Sequence, residues 1–269
     1  MKLSIITINL NNADELRKTI QSVIEQTWKD FEFLVIDGGS VDGSVEIIQE
    51  YGSRITYWLS EKDNGVFHAM NKGIAHSKGE YLLMLNSGDV LYNCEILQKV
   101  FVENKTLEDF IYGNVLRESK GTIIDTSLFP ETLTFQFFRN GSLSHQGTFI
   151  NRRVHSFLGF YDESLRFSSD WKLFILAICK YNLSYKHLPL LFTVCNCDGL
   201  TCNPVNFAAM KEEITVTLKL YFPSFLEDYK RLDALEERTI KNLIKIYKVQ
   251  AKTFTKKILR AYHPTLAAR

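Results

Sequence analysis

The chain has 269 residues, a formal net charge of +1 at pH 7 and five cysteines. Hydrophobic residues make up 45% of the chain and charged residues 23%, so a disordered chain, a collagen-like repeat and a small disulfide scaffold are excluded. The longest apolar run, Leu173–Cys179, has seven residues, whereas a membrane-spanning helix needs about 20.

Residues 3–113 alternate between strand and helix patterns. Short apolar, β-branched runs predict buried strands at 3–9, 31–36, 55–59, 81–85 and 110–112. Helical spacing of apolar residues predicts helices after Asn12 and over 45–51, 66–77 and 93–102. The alternation indicates an α/β fold with a mostly parallel sheet and helices on both faces. We assign 1–113 to one half of a domain.

Residues 114–202 are less regular and form the predicted second half of that domain. We expect a hairpin over 115–126, a strand over 147–151 and a helix over 170–180. The segment 184–195 contains Pro189, which indicates an edge strand or a broken strand. From residue 206 the pattern is helical, so 203–269 is a predicted helical C-terminal region.

Polar loops follow four of the predicted strands, at 9–12, 37–42, 60–65 and 86–89. In parallel sheets ligands bind beyond the carboxyl ends of the strands. Asp37 can accept a hydrogen bond from a base or a ribose, and Asp89 can bind a divalent cation that neutralises a pyrophosphate. Ordinary turns and helix caps explain each loop taken singly.

Two further residues have both a structural and a catalytic interpretation. Asp170 precedes an apolar helix, where it caps the helix or acts as a general base at the edge of a cleft, with Trp171 as a wall. His145 precedes a predicted strand and either reaches the site or has a structural role. The chain lacks the glycine-rich phosphate loops of NTPases and dinucleotide-binding enzymes and the nucleophile elbow of α/β-hydrolases.

Several short segments occur together in an order that resembles glycosyltransferase family 2. They are 4–12, 35–43, 60–65, 69–73, 79–81 and 85–89, followed by 145–149, 159–162 and 169–171. The resemblance covers about residues 3–202. It implies a GT-A-type, Rossmann-like fold and an inverting transferase that uses a divalent metal, Mn²⁺ or Mg²⁺.

The resemblance also implies site residues. Asp170 would be the catalytic base, Asp89 the metal ligand, and Trp171 and His145 would lie on the acceptor side. The residues expected along the nucleotide-sugar pocket are Asn9, Asp37, Asp63, Asn64, Gly65, Asn71, Ser87 and Asp89. The sequence departs from the common family pattern at four places: Ile8–Asn11, His68, Gly88 and Asn114. These departures affect the expected nucleotide identity and metal affinity more than the expected fold.

The leading hypothesis is transfer of a sugar, from a UDP-sugar as the first candidate, to a glycan or a lipid-linked oligosaccharide in polysaccharide biosynthesis. An alternative is a non-catalytic nucleotide-sugar-binding or assembly protein at a membrane surface. A nucleotidyltransferase on a similar sheet is disfavoured because no glycine-rich phosphate loop follows the first strand.

The charge of the chain is divided unevenly. Residues 1–237 carry a net charge of −8, whereas 238–269 hold nine Lys and Arg and no acidic residue. Residues 238–262 predict a basic amphipathic helix, which either packs on protein or lies on anionic lipid. The acidic body disfavours nucleic acid as a partner. With no signal-peptide pattern after Met1, we expect a cytoplasmic protein that contacts the inner face of a membrane peripherally.

Overall fold

One mixed β-sheet forms where the sequence has short apolar runs. The computed structural model describes residues 1–104, 107–199 and 202–262. Four of the predicted strands agree with the structure to within two residues, and the predicted strand at 110–112 is continuous with the first arm of the predicted hairpin. The strands are β1 (Leu3–Asn9), β2 (Phe31–Asp37), β3 (Tyr57–Ser60), β4 (Tyr81–Met84), β5 (Val90–Leu91), β6 (Phe110–Ser119), β7 (Thr122–Ser127), β8 (Thr148–Asn151) and β9 (Tyr185–Asn196).

The helices occupy most of the predicted ranges. They are α1 (Ala13–Ile24), α2 (Ser44–Glu50), α3 (Val66–His76), α4 (Ile96–Gln98), α5 (Phe135–Asn140), α6 (Arg152–Leu158), α7 (Ser169–Ile175), α8 (Phe207–Tyr221) and α9 (Pro223–Tyr262). The helix predicted from Asn93 begins at Ile96, because the Asn93 side chain accepts a hydrogen bond from Glu95 N at 3.0 Å and forms a local turn. Wider π-helical turns, Lys99–Glu103 and Leu176–Lys180, continue α4 and α7.

The strand order is β3-β2-β1-β4-β8-β6-β9-β5, with β7 paired to β6. The strands β3, β2, β1 and β4 are parallel, as predicted. Beyond β4 the pairing is antiparallel, except for the parallel pair β6 and β9. All seven residues of β1 are buried, which requires cover on both faces of the sheet. The α/β class is therefore confirmed, with a sheet that is parallel in its first half and mixed in its second.

Helix α3 lies directly against β1. A Cβ placed on Gly73 would be only 2.3 Å from Ile6 Cγ2, so the close approach depends on glycine at this position. Ile6 and Met70 are both fully buried in this layer. The contact fixes the start of α3, and the loop before it, beside the carboxyl ends of β1 and β2.

The second half of the sheet contains two irregular features that the sequence predicted. The hairpin between β6 and β7 turns at Lys120 and Gly121, which have φ angles of 50° and 77°. Strand β9 lies between β6 and β5 rather than at the edge, but its register is broken around Pro189. Tyr112 pairs with His187 and Asn114 pairs with Leu191, so three residues of β9 face one of β6.

The chain divides into two compact units, Met1–Ile214 and a second unit that begins at Thr215. The first unit contains the whole sheet, and the second contains the 40-residue helix α9. None of the described helices is long and apolar enough to cross a membrane. The predicted apolar stripe continues through residues 249–262, whose side chains lie outside the described part of the chain.

Candidate active site

A cluster of polar side chains joins the carboxyl ends of β1, β2 and β3. The parallel register places Asn9, Asp37 and Ser60 side by side on neighbouring strands. Asn9 Nδ2 donates to Asp37 Oδ1 at 2.8 Å, and Ser60 Oγ donates to Asp37 Oδ2 at 2.7 Å. The strand-end position that the sequence predicted for these residues therefore brings them into direct contact.

The Asp37 carboxylate is fully buried and already has five donors. Besides Asn9 and Ser60, it accepts from Ser40 Oγ and from the backbone N–H groups of Gly39 and Ser40. Burial favours the neutral acid, but the hydrogen bonds from Ser40, Ser60 and Asn9 outweigh burial and hold the pKa of Asp37 below its ordinary value. This geometry does not fit the predicted contact with a nucleotide base. It fits an anion that fixes the loop after β2.

The loop between β3 and α3 carries three of the predicted pocket residues. Asp63 Oδ1 lies 2.7 Å from Lys72 Nζ and 3.5 Å from His68 Nδ1. Asn64 is exposed, and Gly65 has a φ of 115° immediately before α3. A Cβ on Gly38 would lie 3.0 Å from Asp63 Oδ2, so this loop borders the loop after β2.

Asn71 is buried and all of its amide atoms bind protein. Its Nδ2 donates to Tyr161 O at 2.9 Å and to Glu163 Oε1 at 2.8 Å, and its Oδ1 accepts from Tyr161 N at 2.9 Å. These contacts do not fit the predicted role along the nucleotide-sugar pocket. The structure instead shows Asn71 tying α3 to the segment that leads towards α7.

The loop after β4 touches the loop after β1. Asn12 Nδ2 donates to both Ser87 O and Ser87 Oγ at 3.3 Å, so Ser87 lies at the same edge of the sheet as Asn9. Asn86 Nδ2 lies 3.1 Å from His145 Nε2. The end of β4 is therefore connected to the second half of the sheet through His145.

Asp89 faces the protein interior. Only 3% of the residue is exposed, and its Oδ1 accepts from Asn196 N at 2.9 Å. Burial raises the pKa of Asp89 to about 6. The opposing, pKa-lowering effects are weaker and come from His145, Asn196, Gln146 and Cys195. The described residues include no group of three His, Cys, Asp or Glu side chains suited to a metal ion. The enclosed carboxyl group does not fit the predicted metal-ligand role, because a hard cation needs oxygen ligands that it can reach.

Asp170, at the start of α7, is a partly exposed acid of the second half. Its Oδ2 lies 3.0 Å from His145 Nδ1, and its Oδ1 accepts from Trp171 N at 2.8 Å. The side chains of His145 and Asp170 remain 16% and 18% exposed. Asn86, His145 and Asp170 thus form a continuous hydrogen-bonded row from the end of β4 to α7.

Trp171 packs inside the protein instead of lining a cleft. It is 3% exposed, and its Nε1 donates to Phe138 O in α5 at 2.7 Å. The buried indole does not fit the predicted acceptor contact; it fixes α5 against α7. An open groove of about 440 Å³ lies along α5. Its lining includes Thr132, Thr134, Gln136, Phe137, Asn140 and Ser142.

Two residues of the site were not among the predicted ones. Asn86 belongs to the strand-end loop that the sequence singled out, so its position was a usable signal. Glu213, in α8, binds the turn before α7 through Ser168 N and Oγ at 3.0 and 2.7 Å. Forty-five residues separate Glu213 from Ser168, and no local pattern marks their contact.

A family model described as "Glycosyl transferase family 2" matches residues 4–154, more than half of the 269 residues. The chain belongs to glycosyl transferase family 2. The match includes the loops after β1, β2, β3 and β4 and reaches His145, whereas Asp170 and Glu213 lie beyond it.

Curated relatives agree with this family. A PGL/p-HBAD biosynthesis glycosyltransferase from Mycobacterium bovis BCG is 32% identical over 173 residues, which are 62% of this chain and 66% of that protein. An uncharacterized glycosyltransferase from Mycobacterium tuberculosis is 29% identical over 180 residues, which are 65% and 68% of the two chains. The present chain thus spans just under two thirds of the length of the first relative.

Solved structures of two transferases share the fold. TarS from S. aureus in complex with UDP-GlcNAc has a TM-score of 0.64 and 18% identity, covering 82% of this chain and 68% of that chain. Mannosyltransferase PcManGT from Pyrobaculum calidifontis, in complex with GDP-Man and Mn²⁺, has a TM-score of 0.54 and 14% identity, covering 84% and 64%. These likenesses confirm the predicted GT-A-type fold for this family 2 member.

Proposed function

We propose that this chain transfers a sugar from a nucleotide sugar to a hydroxyl group of an acceptor, with inversion at the anomeric carbon. The observation that carries the proposal is the hydrogen-bonded row of Asn86, His145 and Asp170. Through His145, this row links the carboxylate of Asp170 to Asn86 at the end of β4, where we propose that the donor binds.

The proposed chemistry needs one base and no covalent intermediate. The acceptor oxygen attacks the anomeric carbon while the bond from that carbon to the diphosphate breaks, and the bonding electrons leave with the nucleoside diphosphate. Asp170 takes the proton of the attacking hydroxyl. His145 holds the Asp170 carboxylate through Nδ1 and is itself held by Asn86. Attack and departure on opposite faces produce the inversion.

A UDP-sugar is the donor that we propose to test first. TarS was solved with UDP-GlcNAc and PcManGT with GDP-Man, so both nucleotides occur on this fold. Among the predicted pocket residues, Asn64, Gly65 and Ser87 are exposed or half-buried and therefore accessible to a donor. In this proposal Asp37 and Asn71 do not contact the donor. Asp37 fixes the loop after β2, and Asn71 ties α3 to the segment that leads towards α7.

The side chains around Asp89 do not support the expected binding of a divalent metal ion. Family resemblance implies Mn²⁺ or Mg²⁺, and PcManGT was solved with Mn²⁺. Here Asp89 is enclosed, and the residues before it, Asn86, Ser87 and Gly88, carry no acid. We therefore assign no step of the reaction to a protein-bound metal.

A neutral glycan is the proposed acceptor. The groove along α5 carries hydroxyl and amide groups and one aromatic face, Phe137, but no charged side chain. Such a surface suits the hydroxyl groups of a sugar. Ser142 Oγ in this groove is buried without a hydrogen-bond partner, and only two residues separate Ser142 from His145. We propose that an acceptor seated there reaches Asp170 through this neighbourhood of His145.

The second unit supports peripheral contact with a membrane. In the described part of α9, Ile240, Leu243, Ile244 and Tyr247 are each about half exposed or more. They alternate with Arg238, Lys241, Lys245 and Lys248, and no acid follows Glu237. A basic amphipathic helix binds anionic lipid, with about 1 kcal/mol from each basic residue near the surface. Pelleting with anionic liposomes should be lost when the chain ends at residue 237; retained pelleting would contradict the lipid contact.

The decisive experiment compares the chain with Asp170→Asn. UDP-glucose, UDP-galactose and UDP-N-acetylglucosamine are tested for thermal stabilisation, UDP release and product mass. Because only the base is removed, Asp170→Asn should bind donor as the unmodified chain does and lose transfer by about 10²-fold to 10⁴-fold. Asp125→Asn, at an exposed residue of β7, is the control and should change neither donor binding nor the rate of transfer. Full turnover by Asp170→Asn would remove Asp170 as the base.

The enclosed Asp89 favours one alternative, a nucleotide-sugar-binding protein without catalysis. It predicts thermal stabilisation by a nucleotide sugar with no release of nucleotide over long incubation. Slow hydrolysis of any donor in the panel, abolished by Asp170→Asn, would exclude this alternative.

A further inference from the structure

The turn that precedes α7 is held by a single carboxylate from α8. Glu213 Oε1 accepts from Arg166 N at 2.7 Å, and Glu213 Oε2 accepts from Phe167 N at 3.1 Å. The same Oε2 accepts from Ser168 N at 3.0 Å and from Ser168 Oγ at 2.7 Å. Three consecutive N–H groups that converge on an anion form a rigid turn, and hydrogen bonds to a charged group are roughly twice as strong as neutral ones.

These bonds replace the usual cap of α7. Ser168 occupies the N-cap position but makes no side-chain cap bond, because its hydroxyl donates to Glu213 instead of accepting from the first turn of α7. A serine at this position ordinarily accepts a backbone N–H of that turn. The direction in which α7 begins therefore depends on Glu213, in a different helix, rather than on a local cap.

Two further residues next to or near Asp170 are anchored as well. Ser169 Oγ accepts from Asp162 N at 2.5 Å, and Lys172 Nζ lies 2.6 Å from Asp162 Oδ2. Asp170 thus follows Ser168, which Glu213 holds, and Ser169, which Asp162 holds, and it precedes Lys172, which Asp162 also holds. Its carboxylate has little freedom to leave His145 while both anchors are in place.

We infer that Glu213 is a positioning residue for Asp170. The inference rests on the proposed function, in which Asp170 is the base. Neutral glutamine at 213 would offer one carbonyl oxygen to four donors, and its NH₂ group would face N–H groups that it cannot accept from. The turn at Arg166–Ser168 would relax and move Asp170 relative to His145. A misplacement of about 1 Å can cost up to about 10²-fold in rate.

The variant Glu213→Gln tests the inference, with Glu212→Gln as the matched control because Glu212 is exposed on the same helix. Hydrolysis of the donor that the unmodified chain turns over in the UDP-sugar panel gives kcat and KM, and UDP titration gives the Kd of the nucleotide. We expect Glu213→Gln to lower kcat at least tenfold while KM and Kd change less than twofold. Glu213→Asp should recover part of kcat, and Glu212→Gln should match the unmodified chain.

Milder variants cover the case in which Glu213→Gln does not fold. Ser168→Ala removes one of the four donors and should lower kcat about threefold, since one of four contacts is lost. In the folded chain, amide hydrogen exchange at Phe167 and Ser168 should accelerate in Glu213→Gln but not in Glu212→Gln. Unchanged kcat in both Glu213→Gln and Ser168→Ala would overturn the inference, as would parallel losses of kcat, Kd and thermal stability.

The outcome for Asp170→Asn separates this inference from the proposed function. If Asp170→Asn loses turnover and Glu213→Gln retains it, only the positioning role fails. If Asp170→Asn retains turnover, or no donor is turned over, the base assignment fails and the positioning role fails with it.

Discussion

His145 Nδ1 lies 3.0 Å from Asp170 Oδ2, while the opposite ring nitrogen of His145 lies 3.1 Å from Asn86 Nδ2. One imidazole ring therefore connects the end of β4 to the start of α7. The acids that the family resemblance gave the roles of base and metal ligand differ in exposure: Asp170 is partly exposed beside His145, and Asp89 is enclosed.

Replacement of His145 by alanine should impair catalysis more than donor binding. Without the ring, the Asp170 carboxylate loses its side-chain partner and Asn86 loses its link to α7. We expect kcat for donor hydrolysis to fall by about tenfold to 10²-fold, in line with other losses of catalytic geometry. Steady-state kinetics and UDP titration measure the two effects. His76→Ala, an exposed histidine at the end of α3, is the control; equal losses in both variants would contradict the role of His145.

Asn71→Ala should destabilise the fold without weakening the donor contact. The variant leaves the N–H and C=O of Tyr161 unpaired at a residue that is 4% exposed, which costs about 2–4 kcal/mol of unfolding free energy. Asn64→Ala, in the exposed loop before α3, should instead weaken UDP-sugar binding and leave unfolding unchanged. Urea denaturation and donor titration of both variants distinguish the two effects. A reversed pattern would show that Asn71 contacts the donor.

Asp89→Asn should flatten the pH dependence of stability between about pH 4 and pH 7. The folded pKa of Asp89 is raised to about 6 by burial, above an unfolded value of about 3.9. The folded chain therefore holds a proton that the unfolded chain releases, so this contribution to stability is complete at low pH and declines as the pH rises through 6. The unfolding free energy of Asp89→Asn minus that of the unmodified chain should rise with pH, by up to about 3 kcal/mol.

The same variant tests the metal. If Asp89 is not a metal ligand, Mn²⁺ should change the thermal stabilisation by UDP equally in Asp89→Asn and in the unmodified chain. Differential scanning fluorimetry with UDP, in Mn²⁺ or in EDTA, measures this response. Loss of a Mn²⁺ effect in Asp89→Asn alone would restore the metal-ligand assignment.

Gly73→Ala should destabilise the first unit even though alanine favours helices. The added Cβ would lie 2.3 Å from Ile6 Cγ2, so β1 and α3 must separate. Overpacking of this kind costs about 1–3 kcal/mol, against about 1 kcal/mol gained in helix propensity. Gly52→Ala meets no atom within 4 Å and is the control. Equal unfolding midpoints for the two variants would mean that α3 shifts freely on β1.

The sequence predicted the strand-end loops well and the directions of their side chains poorly. Apolar runs and helical spacing located β1, β2, β4 and α3, and the rule for parallel sheets placed Asn9, Asp37 and Ser60 together. The same patterns do not show which face of a helix bears Asn71. Its partners, Tyr161 and Glu163, are about 90 residues away.

Asp89 and Ser168 show the same limit. A carboxylate after a buried strand suits a cation as well as it suits an interior hydrogen bond, and the choice is made by Asn196, 107 residues further along the chain. Ser168 has the right type and position for a helix cap, but its hydroxyl is turned to donate to Glu213 and accepts no N–H of α7. Long-range partners decided both cases, and local propensity contains no information about them.

The short strand β5 has consequences for the order of folding. Its two residues, Val90 and Leu91, pair only with β9 among the described strands, and β9 belongs to the last part of the sheet to be synthesised. The parallel pairs of β1 with β2 and β4 can form on a nascent chain, but among the described strands β5 has no strand partner until β9 has emerged. Pairing over such a sequence separation is slow. A nascent chain that stops before β9 would therefore expose Asp89 to water, and the loop after β4 would be among the last parts of the proposed donor site to become ordered.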